Sequence, residues 1–110
     1  MAGLSKETEQ KISQLQLYEQ SLQNILIQKQ QFQSQSIETE SALKELESTK
    51  EAYKIIGNIM VAAGKEDLKK DLESRKESAQ IRIKALEKQE DQIREKAKKI
   101  QEEVSKSIKE

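Results

Sequence analysis

The sequence predicts a mainly α fold, a long antiparallel two-helix coiled coil with a central β-hairpin. Three observations carry this expectation. Charged residues make up 36% of the 110 and hydrophobic residues 34%, with one Phe, two Tyr, no Trp and no Pro. That mixture favours long helices over a compact core. Apolar residues recur at alternating steps of three and four on both sides of the middle. Between these two stretches lies one β-branched segment broken by Gly57-Asn58.

The first helix is expected over 5–50. Its seam runs Leu4, Thr8, Lys11, Leu15, Tyr18, Leu22, Ile25, Lys29, Phe32, Ser36, Thr39, Leu43, Leu46, apolar at most positions. Ser5 suits the N-cap, where its hydroxyl can accept an otherwise unpaired backbone N–H. About 45 helical residues would reach roughly 70 Å, more than a globular helix needs, so a coiled coil is the natural reading.

The second helix is expected over 65–109. Glu66 and Asp67 sit in its first turn, where carboxylates complement the helix dipole. Its seam runs Leu72, Lys76, Ala79, Ile83, Leu86, Glu90, Ile93, Ala97, Ile100, Val104. A single antiparallel register pairs Leu15 with Ile100, Leu22 with Ile93, Phe32 with Ile83 and Leu43 with Leu72. In that register Thr39 meets Lys76, and Lys29 lies one layer from Glu90, close enough for an ion pair that would fix register.

The middle, 52–63, is expected to form a hairpin. Tyr53–Ile56 and Ile59–Ala62 flank Gly57-Asn58, and Gly accepts positive φ without steric cost. An isolated two-stranded hairpin is marginal in water, and its apolar surface and open edges call for further strands. A coiled coil supplies none, so other chains must. The expected oligomerisation residues are Tyr53, Ile55, Ile56, Gly57, Asn58, Ile59, Met60 and Val61.

Several function classes are excluded. With no Cys and no His there is no disulfide framework, no thiol nucleophile and no zinc or haem site of the usual kind, so no cofactor or metal is expected. Neither a P-loop nor a dinucleotide-binding glycine motif is present, and enzyme activity is not expected. Twenty basic residues balance twenty acidic ones, which argues against nucleic acid and membrane surfaces as partners. The basic run Lys96, Lys98, Lys99 is offset by Glu95, Glu102 and Glu103. No apolar run approaches the roughly 20 residues of a membrane span. Met1 to Ser5 lead into no apolar segment, so a signal peptide is not expected.

The stretch AYKIIGNIMVAAGKEDLKKDL from Ala52 to Leu72, set between a Gln-rich helix and a Lys/Glu-rich helix of matching length, resembles the prefoldin family. The likeness is to its archaeal β-type subunit, which has a single hairpin, and covers nearly the whole chain as one domain, 1–110. The resemblance implies a cytoplasmic hexamer of two α-type and four β-type subunits, whose hairpins join in a β-barrel platform. It further implies that the free ends of the coiled coils hold unfolded client proteins without ATP and deliver them to a group II chaperonin. The client-binding residues would then be Leu4, Ile12, Leu15, Leu17, Tyr18, Ile100, Val104 and Ile108. Ile27, Ile37 and Ile81 read as scattered surface residues. The alternative is a structural or adaptor coiled-coil scaffold, which has no need of an apolar hairpin.

Overall fold

A computed structural model describes residues 4–109. Gly3 and the other ends of the expected domain, residues 1–2 and 110, lie outside the described residues. The order of elements is α1 (Lys6–Ser48), β1 (Ala52–Ile56), β2 (Ile59–Ala63) and α2 (Lys65–Lys109). The chain divides into two compact units. One combines the stretch ending at Lys29 with the stretch beginning at Ala85, and the other is Gln30–Lys84.

In the Gln30–Lys84 unit, β1 and β2 pair antiparallel, with Ala52 opposite Ala63 and Ile56 opposite Ile59. The helical parts of this unit meet along a seam where Leu46 and Ala79 are buried and Phe32, Ser36, Leu43, Leu72 and Ile83 half-buried. Arg82 lies over the Phe32 ring, 5.9 Å from its centroid, within cation–π range. Thr39 and Lys76 are both half-buried at the seam, but each takes a stronger partner than the other. The Lys76 ammonium turns to the Glu40 carboxylate at 3.9 Å, while the Thr39 hydroxyl donates to the Gln35 carbonyl at 2.7 Å.

The end of α1 shows why it stops at Ser48. Helix ends leave carbonyls without intrahelical partners. The hydroxyls of Ser48 and Thr49 both donate to the Glu45 carbonyl, at 3.1 and 2.7 Å. The last turn of α1 has no basic residue, and Lys65 supplies the missing cation, donating to the Glu47 carbonyl at 3.2 Å. The first residue of α2 thus caps the last turn of α1.

In the other unit, Ser5 caps α1 as its position suggests. Its hydroxyl oxygen accepts the Thr8 N–H at 3.1 Å and its proton goes to the Thr8 hydroxyl at 2.9 Å. Thr8, Ile25, Leu86, Glu90 and Val104 are buried. Two cross-helix ion pairs report the antiparallel register, Lys11 with Glu103 at 3.2 Å and Lys29 with Glu90 at 3.5 Å. Among the described residues no large side chain is completely buried. Each unit is therefore held by one seam, with no enclosed core.

Candidate functional site

The hairpin geometry follows from its sequence. Gly57 has φ +60°, and no other described residue has positive φ. Asn58 therefore keeps negative φ, and the two-residue loop has the type II′ pattern, with Gly at its first central position. That turn matches the right-handed twist of the flanking strands. A Cβ on Gly57 would meet nothing within 4 Å, so glycine is required there by the backbone angle alone.

Side chains alternate along each strand, and directly opposed residues share a face. The register puts Tyr53, Ile55, Met60 and Ala62 on one face and Lys54, Ile56, Ile59 and Val61 on the other, with Ala52 and Ala63 at its open end. The first face is apolar apart from the Tyr53 hydroxyl, which donates to Glu51 at 2.8 Å. The second carries one charge, Lys54. Neither face is covered: Ile55 is 68% exposed, Met60 65% and Ile59 65%. Natural sheets expose an apolar face this way where another chain covers it. All eight residues expected at the assembly surface are brought together on this hairpin.

The expected client-binding residues lie in the unit that carries both ends of the chain. The structure sorts them by depth. Leu4, Leu17 and Ile108 are exposed, while Ile12, Leu15, Tyr18 and Ile100 are half-buried along the seam. Val104 is buried, reachable only where the helix ends part. Gln14 donates its amide proton to the Tyr18 hydroxyl at 3.0 Å, which fixes that ring on the α1 surface. Lys11 holds the two helices together here. Its ammonium bonds Glu103 across the seam and Glu7 on its own helix, at 3.2 and 3.6 Å. These contacts, the Glu103 hydrogen bond first, raise the Lys11 pKa above the usual lysine value. Leu26, 48% exposed in the same unit, escaped the sequence reading because it sits beside the seam residue Ile25 and passes for part of it.

Among the described residues no cluster of acidic side chains is arranged to hold a metal ion, and no helix is long and apolar enough to cross a membrane.

Two helices joined by an uncovered apolar hairpin define a class of protein, a two-helix coiled-coil chain with a central β-hairpin. Comparison with known proteins agrees. A family model described as prefoldin subunit matches residues 9–110. Prefoldin subunit beta of Archaeoglobus fulgidus is 39% identical over 98 residues, covering 86% of this chain and 84% of its own length. Prefoldin subunit beta of Thermococcus onnurineus is 30% identical over 98% of this chain and 96% of its own. The crystal structure of the prefoldin beta subunit from Thermococcus strain KS-1 superposes with a TM-score of 0.89 at 30% identity, over 96% of both chains. The chain belongs to the prefoldin family, a family of chaperones, and the relatives it resembles are β subunits.

Proposed function

We propose that this chain is a subunit of an ATP-independent holdase. It binds unfolded proteins at the ends of its paired helices and delivers them to a group II chaperonin. The hairpin joins those of α-type partners and of further copies of this chain, two α and four β, in a closed β-barrel, and the assembly works in the cytoplasm. The observation that carries the reading is the uncovered hairpin, with Ile55, Ile59 and Met60 each about two-thirds exposed. Family membership supports it. Exposed Leu4, Leu17 and Ile108 in the unit bearing both chain ends support placing the client there. Several such weak apolar contacts, repeated on several subunits, would hold a client by avidity.

The test assembles the chain with an α-type partner and follows light scattering as a chemically unfolded protein is diluted into buffer. The intact assembly should suppress aggregation, and a matched assembly lacking residues 1–18 and 98–110 of this chain should not. A hexamer without effect on aggregation would turn the reading towards a scaffold. Equal suppression by both assemblies would move the client site away from the ends.

A further inference from the structure

The two helices of the unit that carries the chain ends differ sharply in charge. From Ile12 to Gln28, α1 holds one charged residue, Glu19. From Ala85 to Ile108, α2 holds twelve. The α1 surface turned away from α2 is built of neutral amides with sparse apolar residues: Gln10, Leu17, Gln20, Asn24, Ile27 and Gln28 are all exposed. Water alone does not require this, because the charged surface of α2 is equally well solvated.

We propose that this α1 surface, whose exposed residues Gln10, Leu17, Gln20, Asn24, Ile27 and Gln28 are all uncharged, is a contact surface for extended non-native polypeptide that reads the client's backbone. Each Gln or Asn amide offers donors and an acceptor together. An unfolded chain presents one N–H and one C=O per residue whatever its sequence. Amide side chains therefore complement any client, while Leu17 and Ile27 take up apolar side chains. The lack of charge matters as much, since acidic and basic clients approach the surface without like-charge repulsion. The surface is continuous with the chain ends, where Gln10, Ser13, Gln14 and Leu17 line a shallow groove with Lys6 and Glu9. A second helix is a poor occupant. Helix pairing needs apolar residues at three- and four-residue steps, and Leu17 and Ile27 stand ten apart. The proposal rests on the client-holding reading above.

The test uses the full assembly and a fluorescein-labelled, reduced and carboxymethylated α-lactalbumin as probe, with binding followed by anisotropy. Gln20→Ala, Asn24→Ala and Gln28→Ala together favour helix formation, so the fold is not at risk. They should weaken probe binding by roughly three- to tenfold. A matched α2 set, Lys88→Ala with Glu95→Ala and Lys99→Ala, should change it by less than about twofold. In a second variant, Gln20→Glu with Asn24→Glu and Gln28→Glu, binding should become dependent on client charge, weaker for this acidic probe than for a basic unfolded chain. If the intact assembly binds and both α1 variants bind equally well, the backbone-reading surface is refuted while client holding stands. If the intact assembly does not bind at all, client holding fails and this inference falls with it. If the alanine set changes the mass of the assembly, the surface packs against another copy of the chain, and the proposal is overturned.

Discussion

Replacing Lys29 and Glu90 together by leucine should make this chain more stable, and replacing either alone should make it less so. The two groups lie 3.5 Å apart in the seam, with side chains only 16% and 12% exposed. At an effective dielectric constant of about 20 their attraction is about 5 kcal/mol. Taking each ion out of water costs several kcal/mol, so the pair comes out near zero. Two leucines in the same layers bury apolar surface with no such cost, and the double variant should gain about 1–4 kcal/mol. Lys29→Leu alone strands a buried carboxylate with Arg94, 3.8 Å away, as its remaining partner. Because that partner persists, the expected loss is about 1–3 kcal/mol, below the 3–5 kcal/mol of a fully uncompensated charge. Glu90→Leu alone should cost less, since the lysine stem can carry its ammonium to water. Thermal melts followed by circular dichroism measure these differences. Register is read separately, with Leu22→Cys and Ile93→Cys as a disulfide probe of the native alignment and Leu22→Cys with Ile100→Cys as a probe of a one-heptad slip. The double leucine variant should form both cross-links where the parent forms only the first. A double variant less stable than the parent would refute the energetic reasoning. A more stable one with unchanged cross-linking would show that the ion pair does not fix register.

Ile55→Glu with Met60→Lys charges the hairpin face that is apolar apart from the Tyr53 hydroxyl. Sedimentation should show loss of assembly with the α-type partner, while the helical signal of the chain stays unchanged, because neither helix rests on those residues. Gly57→Ala forces a β-carbon into positive φ and should cost about 1–3 kcal/mol per hairpin. The loss should appear as weaker assembly, with the helical melt unmoved. Lys11 gives a pH signature. Its pKa is raised on folding, so its stabilising contribution is complete below the unfolded lysine value and vanishes as pH rises through the higher folded value. Lys11→Met should melt below the parent at neutral pH, and the gap between the two should close in the alkaline range above the lysine pKa. A gap independent of pH would mean that the stem of Lys11, and not its charge, does the holding.

Much of this was legible in the sequence, for reasons that differ by element. The hairpin could be read because Gly57-Asn58 between two β-branched runs fixes both turn and register, and the observed pairing of Ile56 with Ile59 follows directly. The seams could be read because alternating steps of three and four place Ile25, Leu86 and Val104 on one side of each helix, where they are buried. Opposite charges in adjacent layers announced the meeting of Lys29 and Glu90. Other features depend on geometry that spacing does not encode. Whether the Gly57 turn is of type I′ or II′ hangs on the φ of Asn58. The reach of Lys65 back to the Glu47 carbonyl depends on the path of the chain through the hairpin. Lys76 chose Glu40 over Thr39 because a long side chain can pass its nearest neighbour to find a carboxylate. The depth of the residues near the chain ends was also hidden: a heptad gives the side of a helix, not how far Leu17 stands clear while Val104 is covered.

The antiparallel arrangement also sets an order of folding. Contacts beside the hairpin, such as Lys65 with Glu47, close a loop of 18 residues, whereas Lys11 and Glu103 are joined through almost the whole chain. Closing the short loop first brings every later pair into reach, so the helices should zip from the turn outward. On the ribosome α1 must wait without a partner until α2 emerges, and its early residues wait longest. The seam at Lys11 and Glu103 is thus the last part of the subunit to be completed by its own chain.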